Sequence, residues 1–326
     1  MGDWVIGPSG YCAKAFQESA SQFWLLFKNT QSKIAQFHMP IRQITIVGTG
    51  LIGGSFALAL RKRRFAGRIV GCDRESALRK AKMRGVIDSG SVEPGDAVRG
   101  SQLVVLATPV LAIVDLIGRL GPGLPATTLL TDVGSTKAAV VEQALKVFGK
   151  NAGKRFLAGH PMAGKEHSGV DYADADLFQN AVWFLTPLPG QHLNQGIFAE
   201  FAGWIDQIGA RIAMLPAEDH DRLCAWISHL PQMISTALAA ALVQEFGEDA
   251  PLLPAGGRAL REMTRISASP YSMWRDVAIT NKKNLEDALF KVEQRLAHIR
   301  ENLATRLLAE EFEQAHGLKK SVGKKE

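Results

Sequence analysis

Cysteine is scarce in this 326-residue chain: Cys12, Cys72 and Cys224 are the only three, and none stands in a CxxC pair. That excludes a disulfide framework and a thiolate zinc site, and it fits a reducing compartment, the cytoplasm by default. Long hydrophobic runs are missing as well. No stretch of eighteen or more apolar residues occurs, so neither a membrane-spanning segment nor a membrane partner is expected. There is no basic stripe interleaved with aromatics. The net charge is +6, but in the last stretch Lys319, Lys320, Lys324 and Lys325 stand against Glu326 alone, leaving a net of three there. A second cluster, Arg61, Lys62, Arg63 and Arg64, falls where the first helix should stop, and cations there complement the helix dipole. Nucleic-acid binding is therefore not expected. The His220-Asp221 pair has no further ligands at metal-binding spacing, so no metal is assigned.

The chain is long enough for two well-buried domains, and 46% apolar with 21% charged residues is ordinary globular composition. Residues 1–40 fit the rest poorly, with Trp4, Tyr11, Phe16, Phe23, Trp24 and Phe27 scattered among Ser, Gln and Lys. They read as an N-terminal extension of uncertain role, and a start codon placed ahead of Met39 is an equal reading. From Ile41 short apolar runs alternate with helical periodicity. Strands are expected at Ile44–Val47, Arg68–Asp73, Leu103–Thr108, Thr128–Val133, Phe156–Ala158, Ala181–Thr186 and Arg211–Leu215. Helices are expected at Leu51–Leu60, Ser76–Arg84, Val110–Leu120, Lys137–Phe148 and Leu193–Ile208. This alternation implies an α/β class: a doubly wound, mostly parallel Rossmann sheet over residues 41–215. Beyond Pro216 only helical spacing remains, over Asp219–Phe246, Arg258–Ile266 and Met273–Leu308. An all-helical second domain over 216–312 follows, then a basic tail over 313–326.

Gly48-Thr-Gly50-Leu51-Ile52-Gly53 follows the first strand and opens a helix. In that context the three glycines serve a tight turn, close approach to a pyrophosphate and close helix packing, while free helix amides meet the diphosphate. Asp73 ends the second strand, close to the ~20-residue offset at which an acid receives the adenosine ribose hydroxyls. NAD is favoured, with NADP left open because Arg74 follows directly; a strand-end cap is the structural alternative for Asp73. Thr108-Pro109 ends another strand at the carboxyl edge, where cofactors lie.

Two further segments at strand ends are unlike ordinary connectors: Asp132-Val-Gly-Ser135-Thr-Lys137 and Gly159-His160-Pro161-Met-Ala-Gly164-Lys-Glu166. Pro161 disfavours helix at His160, which places the imidazole on extended backbone at the sheet's carboxyl edge. An imidazole with an ordinary pKa near ~6.5 can accept a hydroxyl proton at neutral pH while hydride leaves the adjoining carbon. Spacing alone equally allows a structural histidine bonded to backbone.

The glycine loop, DVGSTK, GHPMAGKE, SHLPQ and EMTRISASPYSMWRD occur in the order found in the prephenate/arogenate (cyclohexadienyl) dehydrogenase family, and the resemblance covers residues 41–309. It implies an NAD-dependent enzyme that oxidatively decarboxylates a small cyclohexadienyl acid on the route to tyrosine. By the same resemblance, His160 assists deprotonation of the ring hydroxyl and Ser135 lies beside the nicotinamide and orients that histidine. N-capping of the following helix is the bland alternative for Ser135. Arg265 matches the arginine that binds a substrate carboxylate, a task suited to a planar guanidinium, with an exposed pair to Glu262 as its alternative. Glu166 and Glu262 match acidic positions near the mouth of the active site. Trp274 would approach the neighbouring subunit's pocket in a homodimer, or simply pack in a core. One departure stands out: the family element often reads HLPH, whereas here it is His229-Leu-Pro-Gln232. A neutral amide can bond the keto group of prephenate or the amino group of arogenate, so the substrate stays open between them. His229 itself reads as helix packing. The chain is expected to be monofunctional. Two rivals remain: a β-hydroxyacid-type Rossmann dehydrogenase using Lys282 or Lys283, and a non-catalytic dinucleotide-sensing module. The first gives no reason for a His-Pro at a strand end, and the second would bind NAD(H) tightly without turning over any cyclohexadienyl acid.

Overall fold

A computed structural model describes residues 41–248 and 253–322, so the N-terminal extension lies outside the described residues. The chain forms two compact units. The first runs to Asp221 and takes in Ala268–Thr280; the second holds Arg222–Ser267 and the chain from Asn281 onward. The sequence had suggested one cut at 215/216. Return of 268–280 to the first unit has a plain cause: Asp276 Oδ2 accepts from the amide of Leu111 in the first turn of helix Val110–Leu120, and the Thr136 and Thr280 hydroxyls lie 2.7 Å apart.

The first unit is built on an eight-stranded sheet of order β3-β2-β1-β4-β5-β6-β7-β8: β1 Gln43–Val47, β2 Arg68–Cys72, β3 Ser89–Ser91, β4 Leu103–Leu106, β5 Leu129–Asp132, β6 Phe156–Pro161, β7 Val182–Thr186 and β8 Arg211–Met214. β1 through β6 pair in parallel, β7 runs antiparallel to β6, and β8 is parallel to β7. The mostly parallel Rossmann sheet expected from sequence is thus present. The three-residue β3 and the short helix Pro94–Ala97 were not legible, because Ser-Gly-Ser and Pro-Gly-Asp-Ala carry no apolar run.

Apolar residues alternate faces along each strand, so both faces are covered, as a parallel sheet requires. Ile44, Ile46, Leu103, Val105 and Leu129 face a core shared with Phe56 and Leu60 of helix Leu51–Lys62. Val47, Val104, Leu106 and Leu130 face the other, shared with Ile113, Ile117, Val140 and Ala144. The register aligns Val47 with Cys72 and with Leu106, and Leu106 with Asp132. The carboxyl ends of β2, β1, β4 and β5 therefore form one edge, and the sheet order reverses between β1 and β4. Ligands of doubly wound sheets bind at such a reversal.

The second unit is helical among its described residues: a π-helical turn Ala225–His229, then Leu230–Phe246, Gly257–Thr264, Lys282–Glu301 and Leu307–Val322. The last of these corrects the expected basic tail from residue 313. Apolar Leu307 and Phe312 start a helix instead, tied back where Arg295 Nη1 donates to Glu311 Oε1 at 2.6 Å. A small core of Leu230, Leu285 and Ala288 is flanked by Met233, Ile234, Leu289 and Val292. The run Ala217–Phe246 is, on length and composition, apolar enough to cross a membrane. Its longest uninterrupted apolar stretch, Ala237–Val243, is far shorter than eighteen residues, which is why a search for apolar runs passes over it.

On the first face of the sheet, Trp183 is fully buried against Phe56, Phe178 and Phe201, with ring centroids 5.6, 5.2 and 6.4 Å away. Deleting so large a buried ring leaves a cavity that rigid neighbours cannot fill, so Trp183→Ala should destabilise the first unit by about 3–5 kcal/mol in denaturant unfolding followed by circular dichroism. A loss under about 1 kcal/mol would mean that the aromatic cluster is not structural.

Candidate functional site

The glycine loop joins β1 to helix Leu51–Lys62. Gly48 takes φ +97° to make the turn, and a Cβ on Gly53 would lie 2.0 Å from the Gly48 carbonyl oxygen, so that helix can approach the loop only without a side chain there. Gly50 faces open space, with nothing within 4 Å of a Cβ placed on it. The helix that begins at Leu51 has no side-chain cap, which leaves its first amides for a ligand, and Leu51 and Ile52 are half-buried beside them. Asp73 lies just past β2. Its Oδ2 accepts from the backbone amide of Thr49 at 2.8 Å and from the Thr49 hydroxyl, and Oδ1 accepts from the amide of Arg74. The strand-end cap and a ribose-binding role are compatible, since an ionised carboxylate has acceptor sites beyond three. Arg74 is exposed beside it. Across the reversal point, Thr108 and Pro109 lead from β4 into helix Val110–Leu120, and Thr108 Oγ1 is buried with no hydrogen-bond partner among the described residues. A cradle without side chains, uncapped amides and a buried hydroxyl awaiting a partner together fit a dinucleotide diphosphate. Burial, reinforced by the neighbouring Asp73 and Glu93 charges, pushes the Cys72 thiol up to about 11, so this cysteine beside the loop stays protonated and inert.

At the end of β5 stands a fully buried ion pair, Lys137 Nζ to Asp132 Oδ2. The lysine also donates to the Gly159 carbonyl at 2.7 Å, and Asp132 accepts from the amides of Gly159 and Gly134 at 3.2 and 2.8 Å. Both ends of residue 159 are thus held by one pair. Burial pushes the Asp132 carboxyl up; the Lys137 charge and these hydrogen bonds oppose the shift.

His160 follows at once, on β6 opposite Phe184 of β7, and is 7% exposed. Its Nδ1 lies 2.9 Å from Nε2 of His220, and His220 Nδ1 lies 2.8 Å from Asp221 Oδ1. Asp221 further accepts from the amides of Lys137 at 2.7 Å and Ala138 at 2.9 Å, the start of helix Ala138–Phe148. That corrects the capping alternative for Ser135: Asp221 receives these amides from outside the segment, and Ser135 sits half-buried in the turn ahead. His220 and Asp221 are site residues that sequence reasoning missed. Their adjacency was visible, but a partner sixty residues earlier was not.

Of the remaining expected positions, Glu166 is half-buried in the loop after β6, and Trp274 is half-buried on helix Tyr271–Thr280; both belong to the first unit. Arg265, Glu262 and Gln232 belong to the second. Arg265 is exposed and opens the 3-10 turn Arg265–Ala268, with Glu262 exposed on the preceding helix. Gln232 is buried, its Nε2 donating to the Ile266 carbonyl at 2.9 Å and to the Thr236 hydroxyl at 3.1 Å. It therefore braces the turn that carries Arg265. His229 is buried with Asn281 Nδ2 3.1 Å from its Nδ1, which agrees with a packing role.

Family models described as the nucleotide-binding domain and the dimerization domain of prephenate dehydrogenase match residues 56–214 and 216–316. The prephenate dehydrogenase of Lactococcus lactis subsp. cremoris (strain MG1363) is 33% identical over 270 residues, spanning 78% of this chain and 72% of that protein. A crystal structure of prephenate dehydrogenase from A. aeolicus in complex with hydroxyphenyl propionate and NAD+ matches with a TM-score of 0.74 at 30% identity, covering 87% of this chain and 97% of that one. Synechocystis arogenate dehydrogenase matches with a TM-score of 0.69 at 29% identity, covering 86% and 99%. With a Rossmann unit that carries a dinucleotide cradle and a histidine at its carboxyl edge, a second unit that is helical, and such similarity to these enzymes, this chain belongs to the prephenate dehydrogenase family of oxidoreductases.

Proposed function

We propose that this enzyme oxidises and decarboxylates prephenate or arogenate with NAD as its preferred cofactor, in tyrosine biosynthesis, as a cytoplasmic homodimer. The observation that carries the reading is His160: a nearly buried imidazole at the same sheet edge as the glycine loop, its Nδ1 engaged by His220. β6 stands two strands from β4, so His160 lies on the order of 10 Å along the sheet from the strand that leads to Thr108, a span that a dinucleotide's nicotinamide half can bridge.

Gly48, Gly50, Gly53 and the amides of Leu51 and Ile52 hold the diphosphate, Asp73 receives the ribose hydroxyls, and Thr108, Pro109 and Ser135 flank the nicotinamide. A carboxylate at Asp73 repels the extra phosphate of NADP, while Arg74 beside it leaves room for limited NADP use. When bound, the nicotinamide supplies the hydride acceptor. His160 takes the hydroxyl proton as the ring C–H electron pair departs as hydride. The ring carboxylate leaves as carbon dioxide, its bonding electrons enter the ring, and the proton returns to what is now a phenol oxygen. The chain's contribution is orientation and charge placement, with no covalent intermediate. Arg265 binds a substrate carboxylate; Glu166, Glu262, Gln232 and Trp274 shape the substrate's surroundings. Dimerisation is supported by the apolar side chains that the helical unit leaves exposed, including Val243, Phe246, Phe290, Leu296 and Phe312, and we assign the apolar surface of Ala217–Phe246 to that contact and not to a bilayer.

His160→Asn should suppress kcat by roughly 10²–10⁴-fold at neutral pH with little change in substrate KM. A variant that turns over at the wild-type rate removes His160 from proton transfer. Arg265→Ala should weaken substrate binding by about 2–5 kcal/mol and leave NADH affinity, read by fluorescence titration, largely intact. Equal loss of both would mean misfolding and not a lost carboxylate contact. Steady-state rates with prephenate, arogenate and 3-hydroxy acids, each with NAD and NADP, test the assignment itself. Turnover of a cyclohexadienyl acid with NAD favoured is expected, and turnover of 3-hydroxy acids alone would replace it with a β-hydroxyacid dehydrogenase.

A further inference from the structure

His160 can accept a proton only if Nε2, the nitrogen not engaged by His220, carries a lone pair, and the side chains bonded to Nδ1 decide that. Asp221 accepts two backbone amides, those of Lys137 and Ala138, besides facing His220. Those amides start helix Ala138–Phe148, a location that favours the ionised carboxylate and leaves Asp221 able only to accept. His220 Nδ1, 2.8 Å away, must then donate. A neutral His220 with its proton on Nδ1 offers a lone pair at Nε2, and His160 Nδ1 stands 2.9 Å from that atom. Nδ1 of His160 must therefore carry the proton, which leaves Nε2 basic.

We propose that Asp221 and His220 are positioning residues that fix the tautomer of His160 and hold the imidazolium it becomes. The inference rests on the reading of His160 as proton acceptor and adds what makes it one. Once His160 Nε2 has taken the substrate's hydroxyl proton, both of its nitrogens carry hydrogen. The Nδ1–H remains bonded to His220, whose own Nδ1–H remains bonded to the Asp221 carboxylate. No second proton need move. The fully buried His220, with Phe184 at 5.3 Å between ring centroids on one side, keeps the imidazole planes from turning. The logic is that by which a buried aspartate orients a catalytic histidine elsewhere, with one imidazole inserted between carboxylate and base.

The test begins with the wild-type enzyme bound to NAD+. Uniform ¹⁵N-histidine labelling and long-range proton–nitrogen correlation report the tautomer of each ring, and His160 is assigned by its loss in His160→Asn. Protonated Nδ1 and bare Nε2 on His160 are expected; a bare Nδ1 with protonated Nε2 overturns the proposal, whatever the activity measurements say. Two variants give the kinetic arm. His220→Phe keeps a ring of similar size but no acceptor, and it should lower kcat by roughly 10²-fold or more while substrate KM and NADH affinity stay near wild type. His220→Gln, whose side-chain oxygen can accept from His160 Nδ1–H, should recover part of that loss. A His220→Phe enzyme within a few-fold of the wild-type kcat overturns the proposal, as does an enzyme in which kcat, KM and cofactor affinity fall together with no advantage for glutamine. Failure of the His160 reading is a different result: an active His160→Asn enzyme, which leaves the wild-type spectrum to report on the hydrogen-bond chain alone.

Discussion

The buried Asp132–Lys137 pair is the constraint from which the active edge of this enzyme is built. Neither charge reaches solvent, and an isolated charge in such a place costs several kcal/mol. The cost is offset because nearly every remaining valence is used: the carboxylate accepts from the amides of Gly134 and Gly159, and the ammonium donates to the Gly159 carbonyl. The pair thereby fixes the residue immediately before His160 at both its amide and its carbonyl. Lys137 acts a second time through its own backbone amide, which Asp221 accepts, so the same lysine links the support of His160's backbone to the support of its ring. Loss of either partner would strand a buried charge next to His160.

Around that centre the chain assembles from distant stretches. β5 and β6 bring DVGSTK and GHP together by parallel pairing, with Leu130 opposite Phe156 and Thr131 opposite Leu157. The start of the helical run then supplies His220 and Asp221 from beyond β8, and Ala268–Thr280 comes back to cap the helix after β4 through Asp276. The Rossmann unit is thus completed by residues that lie late in the chain, and removal of everything after β8 would take away the carboxylate behind His160. In the second unit Gln232 braces Ile266, next to Arg265. The side-chain amide of Gln232 donates within the protein.

Much of this was legible before any coordinates. The parallel sheet announced itself as short runs of aliphatic and β-branched residues such as Ile44–Val47 and Leu103–Leu106, continuous because both sheet faces are buried. The glycine loop was legible because it followed a strand and opened a helix, and His160 because Pro161 held it in extended backbone. What escaped had physical reasons. β3 is three small residues with nothing to alternate. Helix capping, the bland alternative for Ser135, is defeated by a tertiary donor-acceptor pattern: a carboxylate more than eighty residues away along the chain accepts the first amides. His220 and Asp221 were set aside as a pair without further ligands because adjacency is all that a sequence shows; the second ring, that of His160, is brought to them by the fold. The helix over residues 307–322 runs on through what was expected as a basic tail from residue 313, where lysines dominate the composition.

The account stands or falls on coupled chemistry: hydride and carbon dioxide must leave the same molecule. Mixing the enzyme with NAD+ and prephenate or arogenate, and following reduced cofactor by its near-ultraviolet absorbance together with released carbon dioxide, measures this directly. Equal amounts of the two products from at least one of the acids are predicted. Reduced cofactor without carbon dioxide, or no reduction with either acid, would contradict the account.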